Sequence, residues 1–158
     1  MTIAVGDAIP SATLHEGSPG TKHDPAQLFA SGKHVLFGVP GAFTPGCSKT
    51  HLPGYVASFD AWKAKGVDSI NCMAVNDAFV MAAWGEGQGA ADKVRMLADP
   101  AGDFATSMGL DVNAAALGGK RSKRFALVVE GGKVTHLQVE PDGFGLTCSL
   151  SESLLEQL

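Results

Sequence analysis

Apolar positions along this chain fall into short blocks that switch between two periods. Residues 34–39 (HVLFGV) form a compact apolar run rich in β formers and read as a buried strand. Residues 67–75 (VDSINCMAV) and 94–98 read as two further strands. Residues 125–129 and 134–139 flank Gly131-Gly132, the signature of a tight hairpin. Helix signals lie between these runs. Asp24-Pro25, a capping residue followed by proline at the first helical position, predicts a helix over 26–30. Thr44-Pro45 repeats the pattern and predicts a helix to Lys65, closed by Gly66 and kinked at Pro53. Asn76-Asp77 opens a helix through Trp84, and a short helix lies near 103–108. Ser149-x-x-Glu152 has the form of a capping box for a C-terminal helix over 150–157.

Strands alternating with helices, then a hairpin and a last helix, predict an α/β fold. A central mixed β-sheet would be flanked by helices on both faces, in the thioredoxin-like order with an N-terminal extension. The length of 158 residues predicts one domain, 1–158, at about 100–200 residues per domain. Such a chain folds without a metal or disulfide staple. Its composition, 45% hydrophobic and 18% charged, excludes a disordered chain.

A net charge of −4 argues against nucleic-acid binding, and no apolar run approaches the ~18 residues of a membrane span. The first residues lack the basic flank and apolar run of a signal peptide. The expected place is intracellular, first the cytoplasm, with mitochondria or peroxisomes as alternatives. The three cysteines, Cys47, Cys72 and Cys148, cannot all pair, and no Cys-x-x-Cys occurs. That excludes a secreted disulfide scaffold and a zinc ribbon, and leaves at least one free thiol to explain.

The informative segment is Pro40-Gly41-Ala42-Phe43-Thr44-Pro45-Gly46-Cys47. It leaves a strand, turns, and places Cys47 in the first turn of a helix. Free backbone N–H groups and the positive end of the helix dipole gather there, and both favour thiolate over thiol. Ionisation alone is a small gain. A free thiol of pKa about 8.5 is roughly 3% ionised at pH 7, so full ionisation gives only ~30-fold. A fast thiol enzyme also needs donors aimed at charge that develops in the transition state. Thr44 offers a hydroxyl one turn before the cysteine, and Arg124, preceding the strand 125–129, offers a permanent guanidinium. Each has a plainer reading: Cys47 as a small buried hydrophobe, Thr44 as a simple N-cap, Arg124 as one solvated charge of Lys120–Arg124.

The stretch 37–55 (FGVPGAFTPGCSKTHLPGY) resembles the active-site segment of peroxiredoxins, specifically the atypical two-cysteine peroxiredoxin-5 type in its animal form. The signature Pro-x-x-x-Thr-x-x-Cys falls on Pro40, Thr44 and Cys47, and the likeness continues through 75–80, 97–100, 123–125 and 139–150. The resemblance implies a thiol peroxidase that acts on hydrogen peroxide, alkyl hydroperoxides and peroxynitrite, without cofactor or metal. Cys47 would be the peroxidatic thiol and Cys148 the resolving one, joined in an intramolecular disulfide that thioredoxin reduces. Thr44, Arg124 and the N–H of Cys47 would hold the peroxide, Pro40 would shield the thiol, Gly46 would admit the substrate, and Phe43 would line the pocket. A homodimer is implied as well.

The remaining signals read as structural. Cys72 reads as a core residue, and His51 as a brace for the active-site helix rather than a metal ligand or a Cys–His partner. Phe43 and Trp84 read on their own as core aromatics, although for Phe43 the resemblance implies the pocket-lining place given above. Gly85-Glu86-Gly87-Gln88-Gly89 reads as a surface loop, and Lys120–Arg124 as a solvated approach to a strand. A rival from another class is a redox sensor or partner-binding module that uses Cys47 oxidation only as a signal.

Overall fold

The computed structural model describes residues 1–158. In chain order the strands are β1 (Leu14–Glu16), β2 (Ser18–His23), β3 (Lys33–Gly38), β4 (Ser69–Ala74), β5 (Val94–Ala98), β6 (Asp111–Ala114), β7 (Gly119–Ser122), β8 (Phe125–Glu130) and β9 (Lys133–Val139). The α-helices are α1 (Pro25–Leu28), α2 (Leu52–Ala57), α3 (Phe59–Ala64), α4 (Ala78–Gly87), α5 (Asp103–Ser107) and α6 (Ser151–Leu155). A π-helical turn spans Cys47–His51, directly before α2.

Seven strands form one mixed sheet in the order β2-β1-β5-β4-β3-β8-β9. β3, β4 and β5 are parallel neighbours, and β8 joins β3 antiparallel with Phe37 opposite Ala126. Side chains alternate across this sheet, as the period of two requires. Val35, Phe37, Cys72, Ala126 and Val128 face a core closed by residues of α2, α3, α4 and α6. Leu36, Met73, Leu127 and Val129 face a second core with Phe29, Phe104 and Met108. The thioredoxin-like α/β arrangement expected from the order of elements is therefore present, with helices on both faces.

Local signals fare unevenly. Asp24 caps α1, accepting from the Ala26 N–H at 3.0 Å, and Asp77 caps α4 by accepting from the Val80 N–H at 2.8 Å. Gly131 and Gly132 turn the β8–β9 hairpin with φ of 59° and 80°, a conformation open to glycine. The single kinked helix expected from Thr44 to Lys65 is instead divided. The Leu52 N–H reaches back to the Cys47 carbonyl, which widens the turn into π geometry just before Pro53, whose nitrogen has no hydrogen to give. A second break falls at Ser58, whose hydroxyl donates to the Gly54 carbonyl at 2.7 Å.

Three readings are corrected. Ser149 forms no capping box, because its hydroxyl and N–H both donate to Glu140 and Leu150 holds the cap position. Gly85–Gly87 is not loop but the last turn of α4, with Gly85 buried against β5. Lys120–Arg124 is not one solvated run, since Lys120 and Arg121 lie in β7 while Ser122 and Arg124 are buried. The hairpins β1–β2 and β6–β7 are additions to the expected elements. No helix is long and apolar enough to cross a membrane.

A methyl group built on Gly85 would stand 2.5 Å from Met96 Cγ, near the root of that side chain. Alanine there gains up to about 1 kcal/mol of helix propensity but overpacks at about 1–3 kcal/mol. Gly85→Ala is expected to lower the urea midpoint. A raised midpoint would contradict this packing.

Candidate active site

β3 ends beneath the sheet's carboxyl edge, and the chain crosses Pro40 and Gly41, both buried, before reaching Cys47. The Ala42 N–H donates to Asn76 Oδ1 at 2.9 Å, tying this loop to the start of α4. Phe43 is 60% exposed with φ of +66°, a left-handed backbone that a bulky side chain adopts only at a cost of about 1–3 kcal/mol. It is neither a core aromatic nor enclosed in the site. Its strained turn instead sets the direction from which Thr44 and the following helix start.

Cys47 is fully buried. Thr44 Oγ1 lies 2.8 Å from Cys47 Sγ and 2.7 Å from the Gly41 carbonyl, so one hydroxyl proton serves two acceptors. A sulfur carrying negative charge draws that proton; a neutral thiol leaves it to Gly41 and donates its own. The side chain thus serves the sulfur and not the helix N-terminus, contrary to the simple N-cap reading. Arg124 Nη1 stands 3.3 Å from the same sulfur. Two side-chain donors thus converge on the sulfur, and no protein group accepts the Cys47 N–H.

Arg124 is only 4% exposed and has no carboxylate partner. Its Nε donates to the Phe144 carbonyl at 3.1 Å, and Nη1 also donates to His51 Nδ1 at 3.1 Å. Gly46 makes room for it: a Cβ there would lie 3.2 Å from both Arg124 Nη2 and Leu146 Cδ1. The glycine is needed for space, since its φ of −64° suits any residue.

His51 is fully buried, one turn after Cys47, tilted against the rings of Phe37 (centroids 4.9 Å apart) and Tyr55 (5.7 Å). Because Nδ1 accepts from Arg124, Nε2 carries the hydrogen and donates to the Ser149 carbonyl at 3.1 Å. Both ring nitrogens are occupied, which leaves neither for a metal. Burial, followed by the charge of Arg124, lowers its pKa to about 3 and keeps the ring neutral. The expected brace is therefore present, but it acts on Arg124 and on the C-terminal loop as well as on its own helix.

Cys148 is half-buried in that loop, its thiol directed at the Val139 carbonyl at 3.6 Å. All three cysteines are free thiols. Burial, with the nearby charge of Glu140, raises the Cys148 pKa. Cys72 lies in β4 within the same core as Cys47, and burial followed by Cys47's charge pushes its thiol well up, which suits a packing role. The structure therefore gathers Cys47, Thr44, Gly46 and Arg124 at one point, while Pro40 adds a buried wall and Cys148 waits on a neighbouring loop. Glu140, Tyr55 and Ser149 belong to the surroundings of the site, within stretches that carry the resemblance but for which it implied no site role at these three positions. A lone Glu before Pro141-Asp142-Gly143 reads as an ordinary turn.

Comparison with known proteins gives a consistent result. The Redoxin family matches residues 4–152. Peroxiredoxin-2B of Arabidopsis thaliana is 42% identical over 99% of this chain and 98% of its own length. Reduced Prx3 of Vibrio vulnificus, crystallised with hydrogen peroxide, is 47% identical with a TM-score of 0.93 over 99% of this chain and all of the other. Peroxiredoxin 5 of Alvinella pompejana is 39% identical with a TM-score of 0.85, covering 99% of each chain.

The neutral His51 makes stability depend on pH. In the unfolded chain the ring binds a proton below about pH 6.5, but in the folded state it stays neutral to about 3. Stability is therefore expected to fall as pH drops from 7 to 5, by up to about 1.4 kcal/mol per unit below 6.5. Urea unfolding of His51→Gln is expected to show a shallower slope over that window. Equal slopes would contradict a neutral buried ring.

Proposed function

The chain belongs to the redoxin family, among its peroxiredoxins, and is a thiol-dependent peroxidase; from that premise we propose that Cys47 is the peroxidatic thiol and Cys148 the resolving one. The observation that carries this reading is the convergence of Thr44 Oγ1 and Arg124 Nη1 on one buried sulfur, beside the uncommitted N–H of Cys47. The thiolate of Cys47 attacks the terminal oxygen of a hydroperoxide, the O–O bond breaks, and the leaving alkoxide or hydroxide takes up a proton. Sulfur is oxidised to the sulfenic acid, and the peroxide is reduced to alcohol or water. Negative charge spreads over sulfur and both oxygens as the bond breaks, where these donors stabilise it. Gly46 leaves space for the guanidinium, and the buried Pro40 limits water at the thiol.

Hydrogen peroxide and small alkyl hydroperoxides suit a thiol this enclosed, and peroxynitrite belongs to the same class of O–O electrophile. Thioredoxin is the proposed reductant of a Cys47–Cys148 disulfide, and three free thiols support an intracellular place of action. Exposed Phe43 and Phe79 project from neighbouring segments and support a homodimer contact beside the site. A pure redox sensor needs the reactive thiol but not the two side-chain donors aimed at it.

A thioredoxin-coupled peroxide assay tests these roles. Cys47→Ser is expected to abolish turnover. Cys148→Ser is expected to keep one round of peroxide reduction and lose the thioredoxin-linked cycle. Arg124→Lys keeps the charge but loses the planar fork, so kcat/KM should fall about tenfold or more. Full turnover in Cys47→Ser, or unchanged kinetics in Arg124→Lys, would overturn the corresponding role.

A further inference from the structure

Glu140 follows β9 and is 1% exposed, yet no cation pairs with it. Its carboxylate is held instead by the two residues on either side of Cys148. Thr147 donates its N–H to Oε2 at 3.0 Å and its hydroxyl to Oε1 at 2.6 Å. Ser149 donates its N–H to Oε2 at 2.8 Å and its hydroxyl to the same oxygen at 2.6 Å. All four groups are donors, and a carboxylate is the side chain that only accepts. Burial alone would raise this carboxyl, but the donors of Ser149 and Thr147 outweigh it and hold the pKa at about 2. It is charged throughout the neutral range.

The Glu140 backbone is fixed as well. Its N–H donates to the Arg124 carbonyl at 3.1 Å, and its own carbonyl accepts from Gly143 at 2.9 Å. On the far side of the loop, the Ser149 carbonyl accepts from His51 Nε2 and from Tyr55 Oη at 2.9 Å. Cys148 therefore sits between two clamped residues, with its own sulfur against the Val139 carbonyl.

We propose that Glu140 is a latch, a positioning residue that pins the Cys148 loop to the end of β9 and whose release sets the rate at which Cys148 reaches oxidised Cys47. The proposal rests on the resolving role given to Cys148. In that step the Cys148 thiolate attacks the sulfenic sulfur of Cys47, an S–S bond forms, and the S–O bond breaks. Hydroxide leaves and is protonated to water, so two thiols and one peroxide oxygen end as a disulfide and water. While the latch holds, the sulfenic acid stays open to a second peroxide, which adds an oxygen to give the sulfinic acid and another water or alcohol. Latch strength therefore sets the partition between disulfide and sulfinic acid, which a merely structural carboxylate would not govern.

Two variants test this. Thr147→Val removes one bond to the carboxylate at an exposed loop position and leaves the charge in place. Glu140→Gln removes the charge and keeps the shape. Alkylation of Cys148 is followed against pH in a Cys47→Ser background, and disulfide and sulfinic acid are followed by mass after peroxide in the otherwise native chain. Loss of one hydrogen bond to a charged group predicts an alkylation plateau about tenfold higher in Thr147→Val, with the profile moved to higher pH because the Thr147 hydroxyl lowers the Cys148 pKa. Glu140→Gln should raise the plateau and also move the profile to lower pH, because Glu140 raises the Cys148 pKa. In both, disulfide should form about tenfold faster, with less sulfinic acid per turnover. If the wild-type chain forms the disulfide but both variants match it in plateau, rate and partition, the latch is overturned while the resolving role survives. If the wild type forms no Cys47–Cys148 bond, the resolving role fails, and the proposal with it.

Discussion

A guanidinium buried without a carboxylate is the constraint on which this site depends. Arg124 is held by a carbonyl and an imidazole, neither of which cancels its charge. The facing atom that can carry negative charge is Cys47 Sγ. Burying an unpaired cation costs several kcal/mol, and the surrounding hydrogen bonds recover only part of that. The site is therefore electrostatically incomplete until sulfur, or an oxygen being reduced beside it, takes up negative charge. In the proposed mechanism, binding favours the transition state over the resting thiol because the unbalanced charge is built into the fold.

Each neighbouring element meets a requirement of that arrangement. β8 pairs with β3 across the sheet, so Arg124 and the loop that follows β3 meet at one edge. Cys47 and His51 lie four residues apart on the π-helical turn, and both face Arg124. His51 fixes the guanidinium through one nitrogen and the C-terminal loop through the other. The stacked rings of Phe37 and Tyr55, 4.0 Å between centroids, back this arrangement from the core. The proposed peroxide site and the Cys148 loop thus share a single hydrogen-bonded scaffold.

How much of this the sequence revealed depended on range. The buried strands 34–39, 94–98 and 125–129 are legible because both faces are apolar, and Asp24 and Asp77 are legible because capping is local. The spacing of Pro40, Thr44 and Cys47 pointed to a candidate site because those residues lie within eight residues of chain. Hairpin β1–β2 was not legible, since SPGTKH is polar and mostly exposed and carries no alternation. Ser149 misled because a capping box and a distant carboxylate compete for the same hydroxyl, and Glu140 won. Gly85 looked like loop until the close approach of Met96 supplied a reason for glycine inside a helix. His51 acts through partners more than 70 residues away and Glu140 through a loop that folds back on it, and no local pattern encodes such contacts.

The central claim is that Arg124 acts on the breaking O–O bond and not only on the readiness of the thiol. The most direct measurement is stopped-flow reaction of reduced Arg124→Gln and wild type at Cys47 with two electrophiles, hydrogen peroxide and iodoacetamide. Iodoacetamide needs the thiolate but has no oxygen to stabilise. The account predicts that Arg124→Gln loses about 100-fold or more toward peroxide and far less toward iodoacetamide. An equal loss toward both reagents would contradict it.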